Sequence, residues 1–144
     1  MDDVARLLIA FRDWLEASTP TEDSVRDSVS RLIVDPATEF LLAGAPTAAG
    51  VCQLRFRHSL WTSSDDCWLE DLFVEDRARG RGVGRALVEA AFERARERGA
   101  ARIELDTNEG NTTAVALYES LGFSASSKAH GARAGRDLFM GRRL

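Results

Sequence analysis

The chain has 144 residues, 44% of them hydrophobic and 29% charged, with a formal net charge of −4 and a sequence pI near 5.2; this favours one ordered domain over residues 1–144 and argues against disorder and against general nucleic-acid binding. No apolar run reaches membrane-spanning length, and the acidic start Met1-Asp2-Asp3 is unlike a secretory signal, so the expectation is a cytoplasmic protein without a membrane partner. Cys52 and Cys67 offer neither a metal-ligand spacing nor a disulfide framework and read as small buried strand residues.

Val4, Leu7, Leu8, Phe11 and Leu15 recur at helical spacing and predict a first helix over residues 2–16. Thr19-Pro20-Thr21-Glu22 reads as the next helix start, with Thr19 as cap, Pro20 in the first turn and Glu22 in the capping-box position. Val25, Val29, Leu32 and Ile33 carry that helix to Asp35-Pro36, which stops it. Strands are expected over residues 38–43, 50–58 and 67–74. The second of these alternates, with Val51, Gln53, Arg55 and Arg57 opposite Cys52, Leu54 and Phe56, and Ser63-Ser64-Asp65-Asp66 forms the turn after it. A helix follows over residues 82–98, burying Leu87, Val88, Ala91, Phe92 and Ala95 and ending at Gly99. A strand over residues 101–106 leads to a helix capped by Asn111, with Ala114, Leu117, Tyr118 and Leu121 on one stripe and Gly122 at its end. Phe123 opens another strand, residues 126–135 form a polar loop, and residues 137–144 are a last strand candidate. Strand–helix–strand alternation in the second half implies parallel pairing within an α/β sheet.

The sharpest local signal is the passage from the strand ending Leu72-Phe73-Val74 through Arg77-Ala78-Arg79-Gly80-Arg81-Gly82-Val83-Gly84-Arg85 into a helix. Such a turn aims unpaired amide hydrogens and the helix dipole at one point, which suits a phosphate. Glycines let the backbone approach closely, and Arg79, Arg81 and Arg85 add positive charge. A P-loop needs Lys-Ser or Lys-Thr after its second glycine, and neither is present. A dinucleotide fingerprint would place its third small residue where Leu87 stands.

Arg79-x-x-Gly82-x-Gly84 resembles the (Gln/Arg)-x-x-Gly-x-(Gly/Ala) signature of the GNAT N-acetyltransferases, close in style to the small polyamine-type members. A second block, Asn111-Thr112-Thr113-Ala114-Val115-Ala116-Leu117-Tyr118-Glu119-Ser120-Leu121-Gly122-Phe123, resembles the same family's Asn-x-x-Ala-x-x-Leu-Tyr-x-x-Leu-Gly-Phe. The resemblance implies a mixed, twisted sheet of about six strands flanked by about four helices and splayed at a cofactor cleft. It also implies acetyl-CoA as co-substrate and no metal. The pyrophosphate would lie on Arg79, Gly80, Arg81, Gly82, Val83, Gly84 and Arg85, and the pantetheine arm on the backbone of Phe73 and Val74. Asn111 and Tyr118 would complete the cofactor site.

The chemistry implied is attack of a primary amine of a small molecule on the thioester, with Tyr118 donating a proton to the departing sulfur. Two acids in an apolar strand, Glu70 and Asp71, are costly unless they face water or a site. By resemblance Glu70 accepts the amine's proton and Asp71 attracts a cationic acceptor. Strict alternation would put the two on opposite faces, so both line one cleft only if the strand bulges there. Trp14, Trp61 and Trp68 are core residues or an apolar substrate wall, and Trp68 is counted with Asp71 as substrate-contacting. His58 and His130 have no paired acid in the sequence and read as surface residues. Family members usually open with a strand that does not precede the first helix here; either it is absent, which would leave a sheet edge bare or covered by a partner and keeps a homodimer open, or the true start lies upstream of this chain. The alternatives are acetylation of a protein N-terminus or lysine, and a non-catalytic acyl-CoA sensor on the same fold.

Overall fold

The computed structural model describes residues 1–124, which fall into two units, Met1–Asp106 and Thr107 onward. In the first unit, helix α1 (Asp2–Trp14) carries Asp2 and Asp3 in its first turn and Arg12 in its last, matching the helix dipole. It buries Val4, Ala5, Leu7 and Ile9, while Leu15, expected on this stripe, lies past the helix end and is exposed. Helix α2 (Glu22–Leu32) starts two residues later than the sequence suggests. Thr21, not Thr19, is its cap, accepting a hydrogen bond from the Ser24 amide at 3.2 Å.

Strands β1 (Thr38–Ala43), β2 (Gly50–Ser59), β3 (Ser64–Val74) and β4 (Arg102–Leu105) form one sheet in the order β1-β2-β3-β4. The first two pairings are antiparallel and β3–β4 is parallel. β3 begins three residues before the expected Cys67. Ser64, Asp65 and Asp66, read as a turn, instead pair with Ser59, His58 and Arg57. His58 Nδ1 lies 3.6 Å from Asp65 Oδ1, so this histidine does have an acidic neighbour, and the opposite charges of Arg57 and Asp66 across the ladder offset the poor strand propensity of Asp.

The two sheet faces have different covers. Glu39 and Leu54 are ladder partners and share a face, and Glu39 accepts hydrogen bonds from Arg94 at 2.8 and 2.9 Å and from Arg98 at 3.1 Å. Helix α3 (Val83–Glu97) therefore lies on that side, burying Leu87, Val88, Ala91 and Ala95. Arg98, just past its end, stacks 4.0 Å from the centre of Phe56. Cys52, Leu54 and Cys67 are fully buried there, and burial pushes both thiols up to about 12, as suits inert core residues. The opposite face packs Val51 and Phe73 against Val4, Leu7, Val25 and Val29 of α1 and α2.

In the second unit, helix α4 (Thr112–Ser120) is capped as expected, with the Asn111 side chain accepting from the Ala114 amide at 3.3 Å, and Gly122 follows its end at φ +90°. Among the described residues the sheet has four strands rather than about six, and the helices number four. Phe123 and Ser124 are not in a strand. The expected strand continuing from Phe123, the loop 126–135, His130 and the strand 137–144 lie outside the described residues.

Candidate cofactor and acceptor site

After Val74 the chain makes a short 3-10 turn, Asp76–Ala78, and enters α3 through Gly80 and Gly82. Both glycines adopt left-handed backbone, φ +71° and +78°, and a Cβ on either would meet nothing within 4 Å. They are needed here for backbone angle rather than for room. Among the described residues the amides of Gly80, Arg81, Gly82, Val83 and Gly84 donate to no acceptor, whereas those of Ala78, Arg79 and Ala86 bond to Glu75, Asp76 and Gly82. Bare amides at the start of a fifteen-residue helix, with open space before them, fit the diphosphate of a CoA thioester. Arg81 and Arg85 are exposed beside them.

Arg79 takes a different position from the one the sequence suggests. Its Nε donates to the Val74 carbonyl at 2.9 Å, its Nη1 lies 2.6 Å from Asp76, and its guanidinium stacks 5.2 Å from Trp14 and 5.8 Å from Phe73. The side chain braces the turn from within. A second brace runs from α1, where Arg6 donates to Glu75 at 2.6 Å and to the Ala48 carbonyl at 2.6 Å, and Arg77 donates to the other Glu75 oxygen at 2.9 Å. The turn is thus held by three arginines and its own carboxylates before any ligand arrives.

The parallel ladder ends at Leu69↔Leu105, while β3 continues to Val74. From Glu70 to Val74 the strand is hydrogen-bonded to β2 alone among the described residues, leaving a backbone edge beside the glycine turn. This is the opening that the expected pantetheine contacts of Phe73 and Val74 require, although Arg79 already holds the Val74 carbonyl.

The strand also bulges. Gln53 pairs with Asp71 but Leu54 pairs with Leu69, so Glu70 is the extra residue. The insertion resets alternation, so Trp68 and Asp71, three residues apart, lie on the same face as their partners Arg55 and Gln53. That face is the α1–α2 side, because Val51 and Phe73, the next rung, pack there. Glu70 is exposed and Asp71 half-buried, and neither makes a hydrogen bond or ion pair with the described residues. Desolvation, and then the Glu70 charge, raise the proton affinity of Asp71 above that of an ordinary aspartate.

In the second unit, Asn111 uses its side-chain oxygen to cap α4. Tyr118 is buried and meets the Phe123 ring edge-on at 5.7 Å. Trp14 and Trp61 are 46% and 78% exposed, which overturns core packing for both, while Trp68 is half-buried. Gln53 and Arg55 were not singled out for the site. The alternation of β2 was visible, but nothing in the sequence says that this row faces the acids of β3. Among the described residues no group of His, Cys, Asp and Glu could hold a metal ion, and no helix is long and apolar enough to cross a membrane.

Residues 6–123 match the family model described as the Acetyltransferase (GNAT) family. A mycothiol acetyltransferase of Thermobispora bispora is 35% identical over 117 residues, covering 80% of this chain and 39% of that protein. A thialysine N-epsilon-acetyltransferase of Sus scrofa is 33% identical over 76 residues, covering 53% of this chain and 44% of that protein. The chain thus spans less than half the length of either relative. A solved structure from Arthrobacter sp. FB24 superposes with a TM-score of 0.82 at 30% identity, covering 98% of this chain and 88% of that one.

Proposed function

Because the chain belongs to the GNAT acetyltransferase family, we propose that it transfers an acetyl group from acetyl-CoA to a primary amine of a small molecule by direct attack. The observation that carries this reading is the row of unpartnered amides from Gly80 to Gly84 beside the open β3 edge. Acetyl-CoA supplies the activated acetyl group. The amides and the α3 dipole hold its diphosphate, with Arg81 and Arg85 adding charge, and the Phe73–Val74 backbone holds its arm. Arg79 is a positioning residue that fixes the turn through Val74 and Asp76.

On the acceptor side, Glu70 accepts the amine's proton and passes it to water. Asp71 draws in the ammonium group and Trp68 packs beside it. The Tyr118 hydroxyl returns a proton to the departing sulfur, and Asn111 joins the cofactor site while capping α4. Mycothiol and thialysine, named for two relatives, are small molecules, whereas a relative of Escherichia coli, 36% identical over 63 residues, is named for the alanine of a ribosomal protein, so the acceptor class is decided by assay.

The test is an amine panel followed by release of free CoA, with calorimetry for acetyl-CoA and a peptide arm carrying N-terminal and lysine amines. Micromolar acetyl-CoA binding with turnover of small amines is expected. Turnover confined to the peptides would move the acceptor to a protein, and binding without turnover anywhere would make the chain a sensor.

A further inference from the structure

The α1–α2 face of the sheet carries a polar row that the acetyl-transfer chemistry does not use. Gln53 faces Asp71 across one rung, and Arg55 faces Trp68 across the next. Arg55 forms an ion pair with Asp35 but leaves part of its guanidinium unanswered. Its Nε is buried with no hydrogen-bond acceptor. The nearest carboxylate, Asp35, stands 3.7 Å from Nη2, beyond hydrogen-bond reach. Asp35 is already occupied, accepting from the Ala37 amide at 3.0 Å and the Thr38 hydroxyl at 2.9 Å. The Gln53 side chain is buried and likewise makes no hydrogen bond to the described residues.

A cation with a desolvated, unanswered donor is costly unless something else answers it. The guanidinium is not sealed off, since the Arg55 side chain is 40% exposed. Beside it, Asp71 and Glu70 present negative charge without a cationic partner. One face therefore offers the Asp71 carboxylate and, one strand repeat away, the part-exposed Arg55 guanidinium, with Asp35 at its Nη2 and Asp66 on the rung beyond. A molecule that is positive at one end and negative at the other satisfies both groups at once, whereas a polyamine would place a second cation against Arg55.

We propose that Arg55, supported by Gln53, binds an anionic group of the acceptor, so that the acceptor is an amine that also carries a carboxylate about 7 Å away, the advance of two residues along a strand. This rests on the acetyltransferase reading above and narrows its substrate class from polyamine-like to amino-acid-like. Planar guanidinium favours a bidentate carboxylate, and the Gln53 amide adds one donor on the same rung as Asp71.

The test compares 6-aminohexanoate, whose extended chain is of that length, with hexylamine, in wild type and in Arg55→Ala and Arg55→Lys. Wild-type kcat/KM should favour the amino acid at least tenfold. Arg55→Ala should bring that ratio close to one, and Arg55→Lys, which keeps the charge, should restore part of it. A wild-type ratio at or below one, or a ratio untouched in Arg55→Ala, overturns the proposal. Calorimetry of both acceptors against CoA-saturated protein reads the preference without turnover, so it decides the inference even if neither amine is acetylated. In that case acetyl transfer to this class of amine fails, while tenfold tighter binding of the amino acid, lost in Arg55→Ala, still upholds the role of Arg55, and equal binding overturns it. Melting curves of each variant confirm that the folded protein is being compared.

Discussion

Gly82→Asp sets protein stability and cofactor affinity against each other. Gly82 is the N-cap residue of α3 at φ +78°, with the unpartnered amides of Val83 and Gly84 just after it. Left-handed backbone costs an L residue about 1–2 kcal/mol, and least for Asn and Asp. An aspartate in this place would also cap the helix, worth about 0.5–2 kcal/mol, by accepting from the bare amides. The two effects nearly cancel, so stability should stay within about 1 kcal/mol and the melting temperature within a few degrees. Binding behaves otherwise, because the new carboxylate occupies the amides that the diphosphate needs and repels it. Losing two charge-assisted hydrogen bonds at about 1.5–3 kcal/mol each removes about 3–6 kcal/mol, or roughly 10²–10⁴ in affinity. Calorimetry of acetyl-CoA beside urea and thermal melts measures both sides. Gly82→Ala is the control, carrying the strain without the oxygens, and its loss of affinity should stay well below that of the aspartate. An acetyl-CoA Kd for Gly82→Asp close to the wild-type value would refute the placement of the diphosphate.

Tyr118→Phe should lower turnover roughly 10²-fold or more if the hydroxyl is the acid, with little change in acetyl-CoA affinity; unchanged turnover removes Tyr118 from that role. Asp71→Asn should be more stable than wild type at neutral pH. The native state binds the Asp71 proton more tightly than the unfolded chain, so ionisation costs wild type stability as pH rises from the ordinary value of 3.8 through the raised one. The gap between the two proteins should therefore close at acid pH, and a constant gap would show that charge is not its source. The same variant should slow acetyl transfer, and comparison with Glu70→Gln shows whether the two carboxylates share the proton. Leu54→Ala, at a position with no exposed surface between β2 and α3, should cost about 2–5 kcal/mol in urea unfolding; a loss under about 1 kcal/mol would mean that the core collapses around the gap.

The glycine turn was legible in the sequence because its causes are local: a strand end, residues free to take positive φ, and a helix start within a few positions. Helix α4 and its Asn111 cap were legible for the same reason. What escaped depended on pairing across the sheet. Ser64-Asp65-Asp66 has turn composition and becomes strand only because Ser59, His58 and Arg57 lie opposite. The cap of α2 moved from Thr19 to Thr21 because both threonines precede plausible first turns, and only the formed helix selects one. The bulge at Glu70 could be stated as a condition but not located, since it is a mismatch between two strands rather than a property of one. Arg79 read as a phosphate ligand because its stacking partner Trp14 is 65 positions away in the chain, at the end of another helix. Arg55 was hidden for the same reason, as its neighbours Asp35 and Trp68 are set by chain folding and strand pairing.

The stretch of β3 beyond Leu69, which among the described residues pairs with β2 but not with β4, has a consequence for the protein in crowded solution. An extended segment with bare amides and carbonyls along one side is a template onto which any passing strand can zip. Here that segment opens with two adjacent acids and closes with a carbonyl already capped by Arg79. Like charge at one end and an occupied acceptor at the other discourage a foreign backbone from docking, so the two acids also guard against clumping, and removing both at once would weaken that guard.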